Sequence, residues 1–150
     1  MFRRGIAAGL VAAAAVTGLL LGMGRRAGTA FRPLNATAAA LIGTRADNVW
    51  GFDAIVTITG VVVVLALSTL AGTIVARLAP SFRTLRTLLA AAGVAIVGYL
   101  LHVHVAARKD VGLSALLSVG ELRALYVTLA TALVLGIRFA FSSGTSASRD

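Results

Sequence analysis

The feature that most constrains this chain is a set of four long apolar stretches, separated by connections that carry arginine. Three of them contain no Asp, Glu, Lys or Arg and have 20, 23 and 20 residues: Gly5–Gly24, Ala54–Ala76 and Leu88–Ala107. A helix needs about 20 such residues to cross the hydrocarbon core of a bilayer, which is roughly 30 Å thick. Each of the three stretches is therefore predicted to be a transmembrane helix.

The fourth apolar stretch is shorter and is flanked by charge. Its uncharged core, Ala124–Ile137, has only 14 residues. A full span must therefore include Arg123 and Arg138, whose long side chains can reach the lipid headgroups. This places the fourth span at about residues 122–141. The segment before it, Val111–Gly120, leaves two alternatives open: an interfacial segment or an early start of the fourth helix.

The composition agrees with a membrane protein of one domain. Of the 150 residues, 59% are hydrophobic and only 13% are charged. A soluble protein of this size could not bury four helices that are apolar on all sides. The first span follows two basic residues, Arg3 and Arg4, as the apolar region of a secretory signal sequence does. It is longer than such a region, so we expect it to be retained as a transmembrane helix. The polar residues 142–150 are predicted to be a disordered tail.

The long connection between the first two spans is predicted to contain a short helix. Pro33 suits the first turn of a helix, and apolar residues then recur at helical spacing until Gly43, a residue type that often ends helices. We interpret Pro33–Ile42 as a short interfacial or re-entrant helix. Asp53, directly before the second span, is predicted to cap it. The expected fold class is thus an all-α integral membrane protein with four spans and one short helix.

The net charge of +9 indicates a lipid partner and not a nucleic acid. The basic residues flank the spans, and no basic run with interleaved aromatic residues is present. The lack of cysteine excludes disulfide exchange and thiolate metal sites. Because the sequence has no Ser–His–Asp, HExxH or P-loop arrangement, we predict no enzymatic activity, no metal and no cofactor.

The orientation in the membrane is only weakly determined by charge. Seven basic residues fall on each side of a four-span topology, so their number does not decide it. The connection between the second and third spans is short and purely basic, and four of the five acidic residues lie on the opposite side. These two features favour both termini in the cytoplasm.

The side chains that could carry chemistry gather at one predicted membrane face. The candidate residues of this polar face are Asn35, Arg45, Asp47, Asp53, His102, His104, Glu121 and Arg123. The alternative interpretation is that charged residues belong at membrane interfaces in any protein.

Two of these candidates suggest specific chemistry. His102 and His104 would point about 200° apart on a helix, so they cannot chelate one ion together. His102 alone is a candidate haem or metal ligand, paired with its mate in a second copy. Glu121 is a carboxylate near the membrane, and such groups often serve proton or ion transport.

The first span also carries two pairs of glycines at the GxxxG spacing, Gly5/Gly9 and Gly18/Gly22. Small residues four apart let helix backbones approach closely in lipid. This predicts a homo-oligomer or a partner membrane protein.

After the first span, residues 32–46 contain a Pro-x-Asn-Ala segment that runs into Gly-x-Arg-Ala, and Thr57 and Gly60 follow. This arrangement resembles a group of uncharacterised small bacterial membrane proteins. The resemblance implies a four-span protein of the bacterial inner (cytoplasmic) membrane and supplies no activity. Its positions of interest are Asn35, Gly43 and Arg45.

Together these features favour a non-enzymatic inner-membrane protein, either an accessory subunit or an assembly or scaffolding factor acting through helix packing. Two alternatives remain open. One is a small oligomeric transporter or channel subunit that uses the charged residues of the polar face. The other is a haem- or metal-binding membrane subunit that uses His102.

Overall fold

A computed structural model describes residues 2–79, 84–106 and 112–142, and in this part of the chain helices are the only regular secondary structure. Its helices are α1 (Phe2–Arg26), α2 (Arg32–Ile42), α3 (Ala54–Leu78), α4 (Thr84–Leu101), α5 (Leu113–Leu116) and α6 (Val119–Ser142). A 3-10 turn (Gly43–Arg45) follows α2, and a π-helical turn (His102–Ala106) continues α4. The short helix α2 thus lies between the first two long helices.

Four of these helices, α1, α3, α4 and α6, are long and apolar enough to cross a membrane, as the sequence predicted. The fourth begins at Val119, three residues before its predicted start, and Ser142 still belongs to it. The tail prediction for residues 143–150 lies outside the described residues. The segment before α6 is neither a plain extension of the helix nor irregular throughout, since it contains the separate single turn α5.

Helix α1 is the centre of the bundle and packs extensively against both α3 and α6. Glycine permits the close approach to α3. A Cβ on Gly5 would lie 2.7 Å from the Cα of Thr73, and one on Gly9 would lie 2.8 Å from the carbonyl oxygen of Ser68. On the α6 side, a Cβ on Gly136 would lie 2.7 Å from the Cα of Ala8. The two helices beside α1 therefore touch it through backbone.

This packing corrects one expectation from the sequence. The pair Gly5 and Gly9, offered there as a contact for a partner, is buried against α3 of the same chain. For the pair Gly18 and Gly22, no atom of the described residues lies within 4 Å of a Cβ built on either glycine, its own helix backbone and chain neighbours aside. Only the second pair is therefore available to another molecule.

Helix α4 is the peripheral member of the bundle. Of its most apolar stretch 11% is buried within the chain, compared with 33–39% for the other three long helices. It packs mainly on α6, where Gly98 lies against the ring of Tyr126. The core is consequently formed mainly by α1, α3 and α6, with Ala8, Ala12, Val75, Leu133 and Ile137, and α4 adds Ala91 to it.

The glycine contacts predict that alanine variants at two glycines of the long helices differ in stability. In Gly72→Ala the new methyl group would lie 2.7 Å from the backbone nitrogen of Gly9. Because backbone cannot move aside like a side chain, α1 and α3 must separate, and we expect a loss of about 1–3 kcal/mol in the free energy of unfolding. Denaturant titration in micelles, followed by circular dichroism, measures this.

The matched control is Gly93→Ala, since Gly93 lies in α4 with no neighbour within 4 Å of a Cβ. This variant should be as stable as the wild type, or more stable by up to about 1 kcal/mol because alanine favours the helix. Equal stability of the Gly72 and Gly93 variants would contradict the α1–α3 packing.

Candidate functional site

All eight candidate polar residues lie at one end of the bundle, called here the polar end. It is formed by the C-terminus of α1, α2 and the loop after it, the N-terminus of α3, the C-terminus of α4, and the N-terminus of α6. The gathering of these residues on one side follows from the alternating direction of the four long helices. Whether they act together depends on the contacts that each one makes.

Asn35 is the most buried polar residue of this end, with an exposed fraction of 0%. Its Nδ2 donates to the carbonyl oxygens of Val49 (3.0 Å) and Gly51 (2.8 Å), and its Oδ1 accepts from the hydroxyl of Thr57 (2.7 Å). Both N–H protons and the oxygen of the amide are therefore hydrogen-bonded. This single side chain joins α2, the loop after it, and α3.

A second hydroxyl strengthens the same junction. Thr37 Oγ1 lies 2.6 Å from the carbonyl oxygen of Leu34 and 3.0 Å from that of Gly60. A Cβ on Gly60 would lie 2.8 Å from this hydroxyl oxygen, so α2 crosses α3 where α3 has no side chain. We call Asn35, Thr37, Thr57 and Gly60 the α2–α3 junction.

Asp53 caps α3, and this confirms the prediction from the sequence. Its Oδ1 accepts from the backbone N–H of Val56 at 2.9 Å. The backbone N–H of Asp53 donates in turn to the hydroxyl of Thr57 at 3.2 Å. The carboxylate is thus committed to a free N–H of the first turn, as helix caps are. Its position adjoins the α2–α3 junction.

Asp47 connects the loop after α2 to the segment before α5. Its Oδ1 accepts from the backbone N–H of Gly112 at 3.0 Å. Gly112 has φ +75°, a conformation that a residue with a Cβ rarely adopts. Arg45, two residues before Asp47, is exposed on the 3-10 turn. The two neighbouring candidates therefore lie in different surroundings.

His102 packs against an aromatic pair between α4 and α6. Its Nδ1 lies 3.2 Å from the hydroxyl of Tyr126, whose ring meets that of Tyr99 edge-on at 5.8 Å. Nε2 is buried and has no hydrogen-bond partner among the described residues. His104 is exposed. Because both nitrogens of His102 face the chain's own helices, a ligand role toward a second copy would require the ring to turn.

Glu121 has a structural partner that explains its position. Its Oε2 accepts from the backbone N–H of Ser118 (2.9 Å) and from its hydroxyl (2.7 Å), while Ser118 Oγ accepts from the N–H of Glu121 (3.3 Å). This reciprocal pair is a capping box, and it starts α6 at Val119. Arg123, on the next turn, is exposed. The carboxylate proposed for transport is therefore engaged as a helix cap.

The polar end thus divides into separate arrangements instead of one centre. Asn35 and Asp53 belong together through Thr57, while Asp47, His102 and Glu121 each have their own partners. The described residues contain no group of three or more His, Asp or Glu that could hold a metal ion.

Sequence reasoning did not single out Ser118, Thr37 or Tyr126, and it named Thr57 without a partner, although all four help to build this end. Ser-x-x-Glu at residues 118–121 is a readable capping signal. The bond between Asn35 and Thr57 joins residues 22 apart, and no local pattern indicates such a contact.

The network around Asn35 predicts a large loss of stability in Asn35→Ala. The carbonyl groups of Val49 and Gly51 would lose their donor, and a buried polar group without a partner costs about 1–3 kcal/mol. Thr57→Val should be destabilising too, and the double variant should lose less than the sum, because both changes remove one shared bond. Additive losses in denaturant titrations would contradict the network.

The cap on α6 predicts different effects for two changes at Glu121. Glu121→Gln should keep the stability of the wild type to within a few tenths of a kcal/mol, because glutamine also serves in a capping box. Glu121→Ala and Ser118→Ala should each lose about 1 kcal/mol. Thermal denaturation in micelles distinguishes them, and a loss of proton flux in liposomes with stable Glu121→Gln would contradict the purely structural role.

No protein-family model matches this chain, and the searches of curated proteins and of solved structures also gave no match.

Proposed function

We propose that this chain is a non-enzymatic membrane protein, an accessory or scaffolding subunit that acts by packing against a partner helix. Its four long helices span the bacterial inner membrane with both termini in the cytoplasm. The short helix α2 and the loop after it lie at the headgroup level. The exposed rings of Trp50 and Phe52 in this loop support that depth, because aromatic residues favour the interface.

The observation that carries the proposal is the surface of α1 around Gly18 and Gly22. Five other glycines of the long helices, Gly5, Gly9, Gly60, Gly72 and Gly136, lie against backbone of a neighbouring helix. Gly18 and Gly22 have no such neighbour in the part of the chain that the structure describes. Glycine costs a helix up to about 1 kcal/mol relative to alanine. A close contact with a helix of another molecule would offset that cost, as in other membrane helix pairs.

The hydrogen bonds of the polar end support a structural role over a catalytic one. Asn35, Asp53 and Glu121 each bond backbone groups of a loop or of a helix end. Side chains engaged in this way hold the fold together. A transport pathway or an active site would require polar groups that face a shared space instead.

The test replaces Gly18 and Gly22 by isoleucine. We expect the wild type to migrate as a complex on native gels in mild detergent. The branched side chains of the variant keep a partner backbone at a distance, so this complex should dissociate. The chain itself should keep its circular dichroism spectrum and its resistance to denaturant, because neither position touches another helix of the bundle.

The control is Gly93→Ile, which adds the same side chain at an exposed glycine in the middle of α4. Its complex should migrate like that of the wild type. An unchanged complex in the Gly18/Gly22 variant, or equal dissociation in the control, would count against a partner on this face of α1.

A further inference from the structure

The polar end contains a small open cleft of about 110 Å³ between α2, the loop after it, and α5. Its lining residues are Arg32, Ala36, Asp47, Gly112, Ala115 and Leu116. Among these described lining residues Arg32 carries a positive charge and Asp47 carries a negative charge, and the others are small or apolar.

Each charged group of the cleft is held by a partner other than the opposite charge. The guanidinium of Arg32 lies over the ring of Trp50, with its central carbon 3.7 Å from the ring centroid. Stacking uses the flat face of a guanidinium and leaves the N–H donors at its edge. Asp47 uses Oδ1 for the backbone N–H of Gly112, and no donor among the described residues bonds its Oδ2, which is left as an acceptor.

Trp50 indicates the depth of this cleft. Its ring is 55% exposed although one face carries Arg32. Tryptophan rings concentrate where headgroups meet the hydrocarbon core. In the membrane placement proposed above, the cleft therefore opens among lipid headgroups.

We propose that the Arg32–Asp47 cleft binds the zwitterionic headgroup of a phosphatidylethanolamine lipid. The phosphate accepts hydrogen bonds from the edge of the Arg32 guanidinium, a geometry that suits phosphate oxygens. The primary ammonium donates to Oδ2 of Asp47. This inference rests on the membrane placement and is independent of the helix partner at Gly18 and Gly22.

The chemistry favours ethanolamine over the other common headgroups. A choline headgroup has no N–H to donate to Asp47 and is best bound on open aromatic faces, one of which Arg32 already covers at Trp50. A phosphatidylglycerol headgroup brings no positive charge to Asp47. The volume of the cleft suits a headgroup alone, because sites for whole drug-sized ligands are larger, at roughly 300–1,000 Å³. The acyl chains would remain in the bilayer.

Trp50 makes the binding measurable, because it is the single tryptophan of the chain. The full chain, purified and delipidated in a maltoside detergent, is titrated with phosphatidylethanolamine, phosphatidylcholine or phosphatidylglycerol of equal chain length. We expect a saturating change in Trp50 emission and one bound lipid in native mass spectrometry for phosphatidylethanolamine. The other two lipids should bind more weakly by a factor of about ten or more, which is the loss typical of one missing charged hydrogen bond.

Two variants test the named residues. Asp47→Asn keeps an acceptor for the Gly112 N–H but removes the negative charge, so it should weaken phosphatidylethanolamine binding about tenfold. Arg32→Gln should weaken it similarly, measured by mass spectrometry because the variant also alters the surroundings of Trp50. Arg45→Gln is the control, since Arg45 is an exposed arginine of the same region outside the cleft.

Equal binding of the three lipids, or equal weakening in the Arg45 control, would overturn the inference. If free phosphoethanolamine competes at the same concentration as the lipid, the cleft recognises the headgroup without its acyl chains, and the assignment to a lipid would be wrong. Failure of the membrane placement is seen separately, as a chain that does not sediment with membranes. A membrane-bound chain without lipid selectivity would refute this inference alone.

Discussion

The buried amide of Asn35 is the interaction on which the polar end of this protein depends. An amide taken out of water costs several kcal/mol unless its hydrogen bonds are replaced. Here the replacements come from three parts of the chain: Val49 and Gly51 of the loop and Thr57 of α3. The amide therefore stabilises the structure only when α2, the loop and α3 are all in place. Apolar contacts alone would not specify that arrangement so narrowly.

The consequences of this junction extend along the loop. Fixing the carbonyls of Val49 and Gly51 fixes Trp50 between them, and the ring of Trp50 supports the guanidinium of Arg32. Asp47, earlier in the same loop, reaches the segment before α5. A cleft with one positive and one negative side chain thus forms from residues that are far apart in the sequence. The function inferred for it follows from the packing of α2.

The sequence predicts the long helices well because length and apolarity decide them. It also predicts the cap at Asp53, which depends on residues three apart. Which glycine pair contacts a helix of the same chain could not be predicted, because Gly5/Gly9 and Gly18/Gly22 have the same spacing. Only the packing of the chain shows that the first pair contacts α3. The sequence leaves two starts of the fourth helix open, an early one within Val111–Gly120 and one near residue 122, and the capping box at residues 118–121 starts α6 at Val119.

The polar residues show the same division between local and distant contacts. The gathering of His102, Glu121 and the acidic loop at one end could be derived from the order of the spans. Their separation into unrelated arrangements could not, because it depends on side-chain partners such as Tyr126 and Gly112. Asn35, Thr57 and Gly60 of the α2–α3 junction likewise depend on contacts between residues that are distant in the sequence.

The most direct test of the junction uses an unusual property of the composition. The chain has two asparagines, Asn35 and Asn48, and no glutamine, so only two side-chain amides appear in a nitrogen-15 NMR spectrum. Asn48 is exposed and serves as the internal control, and an Asn48→Asp variant assigns the signals. We expect slow hydrogen exchange for the Asn35 side-chain amide protons in micelles and fast exchange for those of Asn48. Equally fast exchange of both amides would contradict it.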